Sequence, residues 1–154
     1  MNNLLDRAKA LKLYGLLSHW DEICNEPLVT KFISWEESER NNRGLERRMA
    51  SSKIGRFKPL PEFDWQWPKK IDREVIEDLI LLKFIKDVTN VILFGPNGVG
   101  KTMIAKNIAH QAVIQGFDVL FTTASDLLKE LTTQDGAVAL SRKIRYYVKP
   151  QLLV

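Results

Sequence analysis

Cysteine and histidine are nearly missing from this chain. Of its 154 residues one is a cysteine, Cys24, and two are histidines, His19 and His110. A single thiol cannot close a disulfide within the chain, and the histidines stand apart from any second ligand type, so neither a disulfide framework nor a Cys/His zinc cluster can be built from them. Cys24 reads as a small packed residue, and both histidines fall within helical patterns. No apolar run approaches the roughly 20 residues that span a bilayer. No charged start followed by an apolar stretch marks a secretory leader. The chain therefore reads as soluble and cytoplasmic, with no membrane partner.

Glycine and proline are also sparse, at eight and six residues, and they are concentrated. Three prolines, Pro59, Pro61 and Pro68, fall in one short stretch, and three glycines, Gly95, Gly98 and Gly100, fall in another. The second cluster is the more informative. Gly95-Pro96-Asn97-Gly98-Val99-Gly100-Lys101-Thr102 fits G-x-x-x-x-G-K-[ST] at every required position. It is preceded by an apolar run, Asn90 to Phe94, that reads as a strand, and followed by an amphipathic helix with Met103 in its first turn. Glycines let such a loop curl so that successive N–H groups point at one anion. The helix adds the positive end of its dipole, Lys101 can bridge the outer phosphates, and the Thr102 hydroxyl is placed to ligate Mg²⁺. The expected ligand is ATP with Mg²⁺, on Gly95 to Met103.

Charge is uneven. The net charge is +4, but between Arg40 and Lys58 seven cations, Arg40, Arg43, Arg47, Arg48, Lys53, Arg56 and Lys58, face Glu46 alone. Such an excess fits a sequence-independent duplex DNA contact. Glu36/Arg40 and Glu39/Arg43 are spaced i, i+4, so the first part fits a solvated helix equally well. The last helix, with Arg142, Lys143, Arg145, Tyr146, Tyr147 and Lys149, is a second basic surface with the same two readings.

Taken in order, Met1 to Asn25 predicts two short helices broken at Gly15, with Leu4, Leu5, Ala8 and Leu11 on one buried face and Leu16, Leu17, Trp20, Ile23 and Cys24 on the other. Ser34-Trp35-Glu36-Glu37 predicts a capping box after the Pro27 interruption, and a third helix to about Lys53. Lys58 to Pro68 cannot be a helix interior and reads as an extended connector. Its alternating Phe63, Trp65 and Trp67 suit packing on the adjoining domain, with base stacking or adenine contact as further readings. Asp72 predicts an N-cap for a largely buried helix to about Asp87. Beyond the glycine loop come a helix ended by Gly116, a strand Asp118 to Thr123, a helix capped by Ser125, a turn at Gln134-Asp135-Gly136, a helix Ala137 to Val148, and a strand from Leu152. This order implies an N-terminal helical region, 1–58, a linker, 59–71, and part of a parallel α/β P-loop domain, 72–154.

The segments LERRMASSKIGRFKPLPEFDWQWPKKIDRE, NVILFGPNGVGKTMIAKNIAHQAV and VLFTTASDLLKEL resemble the IstB family, ATP-binding helpers of bacterial insertion sequences related to the DnaC helicase loaders within the AAA+ superfamily. The resemblance implies an AAA+ ATPase that oligomerises, binds DNA and assists a transposase. It also implies that a strand like Leu152-Leu153-Val154 leads into an acidic Walker B segment, a sensor and an arginine finger, none of which lies in these 154 residues. An incomplete copy is the corresponding expectation. The alternatives are a DnaC-like helicase loader and a non-hydrolysing fragment that binds DNA or transposase.

Overall fold

The computed structural model describes residues 4–67 and 70–154. The expected helical start at Met1 to Asn3 and the Pro68-Lys69 part of the connector lie outside the described residues. The chain forms two compact units, Met1–Glu46 and Arg47–Val154, and the division falls inside one long helix.

In the first unit, α1 (Leu4–Ala10), α2 (Tyr14–Ser18) and α3 (Trp20–Ile23) precede the start of α4 (Pro27–Ser51). Their apolar faces meet in a small core of Ala8, Leu11, Val29 and Ile33, edged by Leu4, Leu16, Leu17, Trp20 and Ile23. The expected faces are the ones buried. The break is not at Gly15, which lies within α2; it comes at Lys12, whose φ of 54° reverses the chain, and again at His19. Nor does Pro27 interrupt a helix. It occupies the first helical position of α4, where its missing N–H has no intrahelical partner to lose. Ser34 and Glu37 consequently sit mid-helix and serve as partners, not caps. The Arg7 guanidinium donates to Glu37 Oε1 at 2.9 Å and to Ser34 Oγ at 3.1 Å. That pairing holds the Glu37 carboxyl below the usual carboxylate range.

The second unit is α/β. Two strands, β1 (Val119–Leu120) and β2 (Leu152–Leu153), pair in parallel with Val119 opposite Leu152. Parallel neighbours need a crossover, and it is supplied by α8 (Ala124–Thr132) and α9 (Ala137–Val148). The helix after the glycine loop, α7 (Lys101–Ile114), buries Ile104, Ile108, Ala109, Ala112 and Val113, and ends where Gly116 takes φ 95°. Thr123, not Ser125, caps α8: its hydroxyl accepts from Asp126 N at 3.0 Å, since the strand ends earlier than expected. Asp72 caps α5 (Arg73–Ile80) through Val75 N as expected. That helix does not reach Asp87, because Leu82 turns left-handed at φ 61° and starts a separate turn, α6 (Lys83–Lys86). Its burial is also partial: Ile76 and Leu82 are covered, while Val75 and Leu81 are exposed.

The main departure is at Asn90 to Phe94, which has no regular secondary structure and no strand partner among the described residues. A strand needs a ladder, and no other described segment bonds to this one. Ile92 is 87% and Phe94 99% exposed, and between this segment and β2 runs an apolar groove of about 360 Å³. Among the described residues no helix is long and apolar enough to cross a membrane.

A partly exposed hub around the buried Tyr147 joins the crossover helices. Glu130 of α8 accepts from the Tyr147 hydroxyl at 2.7 Å and from Lys143 Nζ at 2.5 Å, with Lys53 Nζ at 4.0 Å. Chiefly through the Lys143 bond and then the Tyr147 bond, the Glu130 carboxyl is held below the usual range. Burial first, and the Glu130 bond second, push the Tyr147 hydroxyl up to about 12. The depressed Glu130 value gives stability present above its unfolded pKa of about 4.3 and lost as pH falls through the folded value. The raised Tyr147 value gives stability present below its unfolded pKa of about 10 and lost as pH rises through the folded one. Glu130→Gln is therefore expected to melt below the parent at neutral pH and to show a shallower acid-side fall in melting temperature, measured by circular dichroism.

Candidate phosphate-binding site

The loop Gly95 to Gly100 turns on two left-handed glycines, Gly98 at φ 81° and Gly100 at φ 88°. A Cβ at Gly98 would enter open space, so what that position demands is the backbone angle. Gly100 meets a second demand. A Cβ there would run into the Phe63 ring, reaching Cζ at 3.1 Å and Cε2 closer still.

Gly100 is also the N-cap residue of α7. No side chain caps that end, and no acidic residue stands in its first turn. A helix leaves its first N–H groups without internal partners, so the first-turn N–H groups of Lys101, Thr102 and Met103 have neither a helical nor a side-chain acceptor. Together with the dipole of a 14-residue helix they make this end electropositive, a candidate site for an anion. Thr102 is exposed, and Lys101 and Met103 are half-buried. The Lys101 ammonium folds back over the loop and donates to the carbonyl oxygens of Gly95, at 2.8 Å, and Pro96, at 2.6 Å. Asn97 and Val99 lie on the turn between, Asn97 exposed and Val99 half-buried.

What holds the loop is a strap of chain along α7. The Asn107 side chain, buried on α7, donates from Nδ2 to Lys58 O at 2.9 Å and Met103 O at 2.8 Å, while its Oδ1 accepts from Leu60 N at 2.8 Å. Lys106 Nζ donates to Arg56 O at 3.1 Å, and the Phe57 and His110 rings lie 5.1 Å apart. The strap then delivers Phe63, 7% exposed, to Gly100; the Trp65 ring packs tilted against Phe63, with centroids 4.8 Å apart, and the Arg73 guanidinium lies 5.0 Å from the Trp65 ring. Phe63 and Trp65 are thus packing residues of the nucleotide-loop unit, and Trp67 stays exposed. Residue-by-residue reading missed Asn107. The available signal was a polar residue among Ile104, Ile108 and Ala109, inside the apolar face of α7.

The basic residues divide. Arg40 and Arg43, in the first unit, are paired with Glu36 at 2.6 Å and Glu39 at 2.7 Å. In the second unit, Lys53 lies beside Glu130 and over the Tyr146 ring, and Arg48 donates to Val113 O at 3.4 Å. Arg56 and Lys58 belong to the strap, engaged through their carbonyls, with exposed side chains. Arg47 is exposed, with no side-chain partner among the described residues.

A glycine turn feeding an uncapped helix that begins with lysine and threonine, in an α/β unit, defines the phosphate-loop class of nucleotide-binding protein. The chain belongs to a family within that class, the IstB-like ATP binding proteins, whose profile matches residues 3–154. It is 34% identical over 122 residues to a protein of Pseudomonas aeruginosa named as an ATP-binding protein of insertion sequence IS21, covering 79% of this chain and 46% of that one. To the corresponding IS5376 protein of Geobacillus stearothermophilus it is 32% identical over 124 residues, covering 80% and 49%. A Mycobacterium tuberculosis insertion-sequence protein is 31% identical over 160 residues, covering 98% and 64%. The chain spans about half the length of the first two and about two thirds of the third.

Two costs coincide at Gly100. Gly100→Ala is expected to destabilise by about 1–3 kcal/mol for the left-handed backbone and by about 1–3 kcal/mol more for overpacking against Phe63. Adding Phe63→Ala should recover the second part relative to Phe63→Ala alone, in a double-mutant cycle read by thermal melting. Asn107→Leu should cost about 1–3 kcal/mol by leaving strap groups unpaired.

Proposed function

We propose that this chain is an ATP-binding helper of DNA transposition. The observation that carries the reading is the uncapped, lysine-bearing start of α7 behind a left-handed glycine turn, in a member of the IstB-like family. Gly95, Asn97, Gly98, Val99 and Gly100 would turn backbone N–H groups toward the phosphates, Pro96, which has no N–H, would shape the turn among them, and Lys101, Thr102 and Met103 would offer the N–H groups of the first helical turn. Lys101 would exchange its two loop carbonyls for phosphate oxygens, and the Thr102 hydroxyl would serve Mg²⁺. A bound metal–nucleotide would supply the energy and timing of a conformational switch; this chain's residues bind, orient and neutralise it.

The assembled role follows from the family. Duplex DNA, a transposase and further copies of the chain are the partners we assign, with DNA met through the basic residues of the second unit. The relatives carry names of insertion sequences, and this favours transposition over helicase loading.

The test is thermal melting with and without Mg·ATP. At 100 times its Kd, ATP is expected to stabilise the folded chain by roughly 2.7 kcal/mol, and Lys101→Ala should reduce or abolish the shift. A cooperative melt that ATP leaves unmoved would refute nucleotide binding. Magnesium titrated alone and with ATP, on the parent and Thr102→Val, separates the metal assignment from the nucleotide one.

A further inference from the structure

The two basic stretches of the sequence meet at one place in the second unit. A cleft of about 460 Å³ separates the last turns of α4, carrying Arg47 and Arg48, from the end of α9, carrying Tyr146 and Lys149, with Asp118, Val119 and Leu120 also lining it. Both walls are fixed from behind. Ser52, fully buried after α4, accepts Phe121 N at its carbonyl at 2.7 Å and donates from its hydroxyl to Met49 O at 2.7 Å. On α9, Lys143 and Tyr147 are turned one helical turn apart toward Glu130. That sets the helix rotation and leaves Tyr146 and Lys149, themselves spaced i, i+3, on the cleft side.

Two of the charges there, Arg47 and Lys149, are uncommitted. Lys53 and Lys143 are answered by Glu130, whereas Arg47 and Lys149 have no side-chain partner among the described residues, and Arg48 has the single bond to Val113 O. Three cations thus face one carboxylate. The kind of anion is also constrained. Both helices present their C-terminal ends here, whose partial negative charge disfavours a compact anion held against the backbone. Long cationic side chains reaching out over an open mouth suit an extended polyanion.

We propose that this cleft seats the sugar-phosphate backbone of duplex DNA, with Arg47, Arg48 and Lys149 on phosphates. The inference rests on the assignment of DNA as a partner and names where on this chain it binds. Contacts of this kind position a duplex without reading its sequence.

The experiment is fluorescence anisotropy of a labelled duplex oligonucleotide titrated with the full chain over a series of salt concentrations. Arg47→Gln and Lys149→Gln should each weaken binding severalfold and lower the slope of log K against log salt by about one, with Lys149→Arg restoring the parent slope. Arg40→Gln with Arg43→Gln, whose charges are already paired, should leave the slope unchanged. Melting curves of each variant report that it is folded. If the parent binds DNA but folded Arg47→Gln and Lys149→Gln keep its slope, the cleft is wrong and the DNA partner stands. A parent that does not bind duplex DNA overturns both.

Discussion

The second unit depends on one buried amide. Asn107 sits on the nucleotide-loop helix, where apolar neighbours would make an unpaired amide costly, and its three hydrogen bonds all go to main-chain groups. Two of those groups, Lys58 O and Leu60 N, belong to the strap. The bonds therefore hold a proline-rich stretch, whose own regular structure is a single 3-10 turn at Leu60–Glu62, as a fixed edge of the site. Phe63 reaches Gly100 because Leu60 is held, and Trp65 and Arg73 pack outward from Phe63. The glycine loop is thereby closed on one side by packed aromatics and open on the other.

Local signals were legible where a residue has one dominant preference. The Asp72 cap, the span of α7, its stop at Gly116 and the limits of α9 follow from capping oxygens, apolar periodicity and the left-handed tolerance of glycine. The glycine turn and the helix start at Lys101 were legible for the same reason, as the spacing of the glycines sets where the backbone can turn left-handed. Errors came where two signals compete. Pro27 can end one helix or begin another, and Ser34-Trp35-Glu36-Glu37 reads as a cap only if it is not already mid-helix. Leu82 adopts a left-handed conformation that no leucine advertises. The run Asn90 to Phe94 has strand composition, yet a strand is a property of pairs, and no single segment's sequence states whether a partner lies beside it.

Charge shows the same division. Spacing along the chain set Arg40 and Arg43 apart from the five later basic positions, and packing divides those five further. Arg40 and Arg43 are matched on their own helix, and Lys53 shares Glu130 with Lys143. Glu130 is 77 positions from Lys53, so no local window couples them; a single carboxylate on α8 silences cations from two different basic stretches. The charge left available is consequently smaller than the composition suggests, and it lies on particular walls.

The Lys101 ammonium, bonded to the carbonyls of Gly95 and Pro96, carries a consequence for how the loop discriminates among anions. Binding of an anion by Lys101 would be an exchange reaction, since two charge-assisted bonds would have to open before new ones form. A ligand offering few oxygens to the ammonium gains little from that exchange. One with several phosphate oxygens in reach replaces both bonds and engages the helix end as well. The loop is in this sense self-buffered: its own carbonyls would set a threshold of valency below which an anion has little advantage over them.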